Sequence, residues 1–198
     1  MTEQKFLKDL ETKLWKTADT LRSNISAAEY KHVVLGLVFV KYVSDSFETR
    51  RNELRTAFVN PEHEYFLGVD ADDEFINEEL ENRDYYTEKN VFWVPQSARW
   101  KFIQDNAGLS VGAKLPNGDE FKGIGKFIDD AMEAIEKENP KLKRILNKSY
   151  AKLDIDPSKL VALVNLIAEI PFTHNSLKSK EILGHVYEYF LGKFAAAE

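Results

Sequence analysis

Carboxylate side chains are concentrated in one stretch of the sequence, between residues 61 and 88. This stretch holds eleven acidic residues and one basic residue, a local net charge of −10. Within it, Asp70, Asp72, Glu74, Glu78 and Glu81 follow the ligand spacing of an EF-hand calcium loop. The loop needs a glycine at its sixth position, where this sequence has a phenylalanine. We therefore favour an acidic, solvent-exposed surface over a calcium-binding module, and calorimetry with calcium would separate the two.

Other catalytic and cofactor-binding patterns are incomplete. The four histidines are scattered without metal-ligand spacing, and there is no cysteine to serve as a nucleophile or thiolate ligand. Gly123-x-Gly125 lacks the third glycine and the preceding strand of a dinucleotide site, so it indicates a helix start or a close packing point. No nucleophile elbow and no phosphate-cradling loop is present. We predict no catalytic, cofactor-binding or metal-binding residue in this chain.

The clearest basic stretch consists of Lys141, Lys143, Arg144, Lys148 and Lys152. Three of these residues are spaced at i, i+4, which would place them on one face of a helix. Neutralisation of nucleic-acid phosphates is the functional interpretation. A solvated helix face is the more common role for such a charge run, and the pattern alone leaves both open.

These candidate residues belong to a chain of 198 residues with a net charge of −6. Outside residues 61–88 the net charge is +4, so the acidic total does not exclude a DNA partner. The 43% of hydrophobic residues suffice for a sizeable core. The longest apolar run, residues 33–40, is too short to span a membrane, and the N-terminus shows no export signal. We expect a soluble, cytoplasmic protein.

Hydrophobic periodicity predicts helices along most of the chain. An amphipathic helix covers residues 2–21, and a capping box of Ser26 and Glu29 starts a long helix that runs to about residue 58, with Ile25 and Tyr30 as a hydrophobic staple. A β-strand over residues 33–40 is rejected because the capping box and the flanking period continue through it. Two further helices are expected, one from about Ser97 and one over residues 121–138. Two more should follow N-cap signals, one at Asp156-Pro157 and one at Ser179. Residues 91–95 should be extended, because Pro95 disfavours a helix before it.

The expected fold is mainly α. It is a multi-helix bundle with a long central buried helix, an acidic irregular insertion over residues 61–88, and little or no sheet. The chain ends at Glu198 in helix-forming residues without a stop signal, which suggests a cut within an element.

Several stretches also resemble a known family. They are residues 14–22 (LWKTADTLR), 27–31 (AAEYK), 35–45 (LGLVFVKYVSD), 92–100 (FWVPQSARW) and 183–191 (LGHVYEYFL). In this order they resemble the N-terminal helical domain of the modification (M) subunit of type I restriction–modification systems, and the similarity runs through nearly the whole chain. On this basis residues 1–178 would form the N-terminal helical domain, and residues 179–198 would start the helix that leads into a methyltransferase domain.

The resemblance implies a parent enzyme that transfers methyl from S-adenosylmethionine to adenine N6 in DNA. Its partners would be DNA, a specificity subunit, a second modification subunit and a restriction subunit. The family's Asn-Pro-Pro-Phe/Tyr motif and cofactor loop are absent from this span, so it should bind no cofactor and be catalytically inactive alone. Its implied role is to close around DNA and to contact other subunits. The alternative is a free-standing helical adaptor without an enzymatic parent.

Overall fold

The computed structural model describes residues 2–21, 26–172 and 178–195. Over these residues the chain forms eight α-helices, which are α1 (Glu3–Leu21), α2 (Ala27–Phe58), α3 (Asp73–Glu79), α4 (Asp84–Thr87), α5 (Trp100–Asn106), α6 (Ile124–Glu138), α7 (Pro157–Ala168) and α8 (Ser179–Ala195). Two 3₁₀ turns, Gln96–Ala98 and Pro140–Leu142, connect some of them. Within this part of the chain β-structure is limited to one isolated bridge, between Lys114 and Glu120. The predicted mainly helical class is confirmed.

Helix α2 is the centre of the bundle and packs against α4, α5, α7 and α8. It begins as predicted, because the Glu29 backbone N–H donates to Ser26 Oγ and the Ser26 N–H donates to the Glu29 carboxylate at 3.2 Å. Ile25, the expected partner of the hydrophobic staple, lies outside the described residues. The helix continues through the apolar run, where Val33, Val34, Leu35, Leu37, Val38 and Val40 are all buried. The rejection of a strand at these residues is confirmed.

Helix α1 packs against α7 and α8 and buries Phe6, Leu10 and Leu14. Helix α8 also packs against α2, with Ile182 and Val186 fully buried in the same core. The predicted core side chains Phe190 and Phe194 are outside the described part. Ser179 is the first helical residue of α8, not its N-cap. The Lys178 N–H at the cap position donates to the Glu181 carboxylate at 2.6 Å, the return bond that an acid at the third helical position makes in a capping box.

Two helix starts between residues 96 and 124 differ from those predicted by periodicity. The helix expected from Ser97 is a 3₁₀ turn followed by α5, whose Trp100 N–H donates to Ser44 Oγ on α2 at 2.7 Å. Helix α6 begins three residues later than predicted, because Gly123 has a φ of +100° and cannot continue a right-handed helix. Phe121 before it is nevertheless buried, in a turn closed by its backbone bonds to residues 112 and 113.

The acidic stretch over residues 61–88 contains α3 and α4 and uses some of its carboxylates internally. Asp72, part of the EF-hand-like spacing, caps α3 by accepting from the Phe75 N–H at 2.9 Å. Glu81 bonds with Arg51 of α2 at 2.8 Å and with Arg99 at 3.1 Å. This ion-paired cluster attaches the acidic stretch to the central helix.

Candidate nucleic-acid interface

The basic segment, defined as Lys141, Lys143, Arg144, Lys148 and Lys152, is not helical. After the 3₁₀ turn Pro140–Leu142 the backbone is irregular until α7 begins. Arg144 has a φ of +66°, in the left-handed region, which ends any helical run there. The expectation that Arg144, Lys148 and Lys152 share one helical face is therefore wrong. The physical reason is that bonds to neighbouring helices replace the i→i−4 bonds that a helix would need.

Two carboxylates on α6 supply those bonds. Glu136 accepts from the Arg144 backbone N–H at 3.0 Å and pairs with Lys148 Nζ at 3.1 Å. Both donors hold the pKa of Glu136 below its usual range, the backbone bond contributing most. Asp129 accepts from the backbone N–H groups of residues 150 and 151 at 3.0 and 2.9 Å. The segment is thus clamped along α6 by hydrogen bonds to charged acceptors.

Tyr150 anchors the same segment to the central helix. Its ring is buried, and its hydroxyl donates to the Val33 carbonyl of α2 at 2.7 Å. Gly36 makes room for it, since an added Cβ there would lie 2.5 Å from the tyrosine hydroxyl oxygen. Gly125 lies equally close on α6, where an added Cβ would approach the Tyr150 carbonyl oxygen to 2.7 Å. The interpretation of Gly123-x-Gly125 as a helix start and a close packing point is confirmed.

This anchoring leaves most of the basic segment facing solvent. Lys141, Lys143, Arg144 and Lys152 are exposed, and the ion pairs found among the described residues include none of them. Lys148 differs because its side chain is 31% exposed and already paired with Glu136. The structure therefore keeps four of the five predicted cations available to a polyanion and commits the fifth to an internal contact.

A second basic feature, which the sequence did not indicate, is a cleft of about 1000 Å³ beside the basic segment. We call it the lysine cleft. Among the described residues four lysines line it, Lys89, Lys141, Lys178 and Lys180. They come from three separate parts of the chain: the loop after α4, the turn after α6, and the start of α8. Only Lys141 was among the predicted site residues.

The remaining lining of the lysine cleft is polar, aromatic or already paired, apart from the aliphatic residues Val91 and Pro140. It includes Ser46 and Asn90, whose side chains can donate hydrogen bonds, and the half-buried rings of Tyr42 and Phe92. The Thr87 hydroxyl also lines it, but it donates to the Arg83 carbonyl. Its lining acid, Glu138, is bonded to Arg83. The surface left for a ligand is therefore positively charged.

Asn139 positions one wall of the lysine cleft. Its side-chain amide accepts from the Trp93 N–H at 3.0 Å and donates to the Trp93 carbonyl at 2.8 Å. It also donates to the Ile135 carbonyl at the end of α6. One buried amide thus joins residue 93 to the turn that carries Lys141. The only sequence signal for the rest of the cleft was the Lys178-Ser-Lys180 pair, which charge counting alone does not distinguish from an ordinary helix start.

Over the ranges that the structure describes, no group of three or more His, Asp or Glu side chains is arranged to hold a metal ion. No helix in those ranges is both long and apolar enough to cross a membrane.

Comparison with known proteins gives one family and two relatives. The family model described as the HsdM N-terminal domain matches residues 10–170. The type I restriction enzyme MjaIX methylase subunit of Methanocaldococcus jannaschii is 35% identical over 191 residues, which are 96% of this chain and 31% of that protein. The type I restriction enzyme HindI methylase subunit of Haemophilus influenzae is 45% identical over 114 residues, 53% of this chain and 25% of that protein. The match thus spans between a quarter and a third of the length of these curated relatives.

Proposed function

The chain belongs to the family of HsdM N-terminal domains, and on that premise we propose that it is the DNA-clamping and subunit-binding domain of a type I modification subunit. The parent enzyme transfers methyl from S-adenosylmethionine to adenine N6 in DNA. It works in the cytoplasm with a specificity subunit, a second modification subunit and a restriction subunit. The family match over residues 10–170 is the observation that carries this proposal.

Within the parent, residues 1–178 form the clamp and residues 179–198 lead towards the methyltransferase domain. The packing of α8 against α1 and α2 supports this role, because Ile182 and Val186 are buried in the core of the bundle. The clamp itself carries out no chemistry.

The exposed cations of the basic segment contact DNA phosphates. Phosphate contacts position a protein on the duplex without reading its sequence, so target choice stays with the specificity subunit. Each phosphate contact contributes about 0.9 to the slope of log affinity against log salt concentration. Three lost contacts therefore lower the slope by about 2.7.

The test is a triple charge reversal, K143E/R144E/K152E, in the assembled methyltransferase. Lys148 is left intact because its reversal would also break the bond to Glu136. We expect weaker DNA binding, a flatter salt dependence and an unchanged methylation target, measured by fluorescence anisotropy at several salt concentrations. The control K5E/K8E/K114E changes the same charge at exposed lysines elsewhere. Equal affinities and slopes for the two variants, with folding intact by circular dichroism, would refute the contact of the basic segment with DNA.

The second test concerns catalysis. The 198-residue chain alone should transfer no methyl group and bind no S-adenosylmethionine, because it lacks the cofactor loop and the Asn-Pro-Pro-Phe/Tyr motif. Isothermal calorimetry with S-adenosylmethionine measures this directly. Saturable binding by the chain would contradict the assignment.

A further inference from the structure

We propose that the lysine cleft is a binding site for the sugar–phosphate backbone of DNA, separate from the exposed face of the basic segment. This inference rests on the proposed function, since it assumes that the domain meets DNA. It adds a path for the strand, across Lys89, Lys178 and Lys180, none of which the charge pattern of the sequence singled out. Lys141 belongs to both surfaces and joins them into one basic track.

The chemistry of the lysine cleft fits a polyanion better than a single small phosphate. Compact phosphate sites use converging backbone N–H groups in a glycine-rich loop or a nest. Here the cations are exposed lysines on flexible stems, spread around an opening of about 1000 Å³. The hydroxyl of Ser46 and the amide of Asn90 lie among them and suit phosphate oxygens. This arrangement suits several phosphates at once, each neutralised through a contact of moderate strength.

Among the described residues Lys89 pairs with Glu88, whereas no ion pair is found for Lys141, Lys178 or Lys180. Glu138 is held by Arg83, whose guanidinium also lies over the Trp93 ring, 5.3 Å from its centre. Glu88 is 3.5 Å from Lys89, but it also accepts a hydrogen bond from the Tyr65 hydroxyl, and this bond is the main cause of its lowered pKa. Asn139 is fully committed to residues 93 and 135. The charges of Lys141, Lys178 and Lys180 are therefore directed at solvent.

An acidic protein segment is the other class of partner that could enter a cleft of this charge, for example residues 61–88 of a second copy. Several acids of that stretch are already bonded within their own chain, namely Asp72, Glu79, Glu81 and Glu88. Releasing them would sacrifice a helix cap and the ion pairs with Arg51 and Arg99. A DNA strand has no such internal partners, so the observations favour DNA.

The experiment compares K89E/K178E/K180E with K143E/R144E/K152E in the assembled methyltransferase, by DNA binding at several salt concentrations. We expect the cleft variant to lower the log–log slope by up to about 2.7. The matched variant K89R/K178R/K180R retains the charge and should retain the slope. A flatter slope for the basic-segment variant only would overturn the cleft and leave the proposed function standing. An unchanged slope in both variants would overturn both.

A photo-crosslinking experiment identifies whether the partner in the lysine cleft is DNA or protein. Lys180→p-benzoylphenylalanine in the assembled enzyme, irradiated with labelled duplex DNA, should crosslink to DNA. Crosslinking to a protein subunit instead, with none to DNA, would overturn the proposal in favour of an acidic protein segment. Inorganic triphosphate at equal ionic strength should not protect the site, whereas full protection by it would indicate a small-phosphate pocket.

Discussion

Substitution of Gly36 by alanine should destabilise this protein, although the same change in the middle of a helix normally stabilises it. Alanine is favoured over glycine in a helix by roughly 0.5–1 kcal/mol. At Gly36, however, the added Cβ would lie 2.5 Å from the Tyr150 hydroxyl oxygen and 3.3 Å from Met132 Cε. The methionine end can move, but the hydroxyl is held by its bond to the Val33 carbonyl. The tyrosine must therefore shift and lose that bond.

The sizes of the opposing energies decide whether Gly36→Ala stabilises or destabilises the protein. Loss of a buried hydrogen bond costs about 0.5–1.5 kcal/mol, and overpacking a close-packed core costs about 1–3 kcal/mol. Together they exceed the gain in helix propensity, so the Gly36→Ala variant should be less stable by about 1–3 kcal/mol. In a Tyr150→Phe background the hydroxyl is absent and the nearest ring atom, Cζ, is 3.6 Å away, an ordinary contact. There the alanine should be neutral or stabilising by up to about 1 kcal/mol.

The assay is a double-mutant cycle from urea denaturation of the four proteins. Gly184 on α8 provides the control, because an added Cβ there meets no atom within 4 Å. Gly184→Ala should stabilise the protein by roughly 0.5–1 kcal/mol in either background. An equal effect of Gly36→Ala with and without the Tyr150 hydroxyl would refute the packing argument.

Two further predictions concern the same core. Leu37→Ala removes a fully buried side chain from α2 and should lower the free energy of unfolding by roughly 2–5 kcal/mol. Ser26→Ala removes the confirmed N-cap and should lower it by about 1 kcal/mol. Denaturant midpoints in the reverse order would contradict the central position of α2. Burial raises the pKa of Tyr150, and that of Tyr187 to about 12, above the unfolded value near 10. The folded state then binds more protons than the unfolded state above about pH 10, so stability should fall as pH rises there, by up to about 1.4 kcal/mol per unit for each fully buried phenol. In Tyr150→Phe this fall, followed by urea denaturation between pH 9 and 11, should be shallower, and an equally steep fall would show that the phenol is not the cause.

The sequence predicted the elements whose start and extent depend on local residues. The capping box at Ser26 and Glu29 and the Asp156-Pro157 start of α7 both appear as expected. Their signals lie within four residues of the backbone groups that they satisfy. Hydrophobic periodicity also identified α1 and the long α2, because each of them buries a continuous apolar face or core.

The predictions failed where bonds to distant residues replace local ones. The segment after Pro140 has helical spacing of Leu142, Leu146 and Tyr150, and all three are indeed buried. Yet its backbone donors are taken by Glu136 and Asp129 of α6, which periodicity cannot reveal. The Ser179 cap failed for a local reason instead, because α8 begins at Ser179 and Glu181 in its first turn accepts from the Lys178 N–H.

The residues of the candidate site were likewise predictable where the signal is local in the sequence, and not where tertiary contacts decide. Charge density in the sequence was sufficient to find Lys141, Lys143, Arg144 and Lys152, all of which are exposed. It also included Lys148, whose internal pairing only the structure shows. The other lysines of the cleft lie about 50 residues before and 40 residues after Lys141 in the sequence, so only tertiary packing assembles them.

The anchors of the basic surfaces are buried groups that bear no charge. Tyr150 attaches the basic segment to α2, and Asn139 attaches the turn bearing Lys141 to residue 93. Flexible lysines lose side-chain entropy when they bind phosphates, and an unanchored backbone would add the cost of ordering to each contact. A backbone held in advance avoids that second cost, so under the proposed function a surface of individually weak contacts would retain a DNA strand. The close approach permitted by Gly36 is thus a requirement of the basic surface as well as of the core.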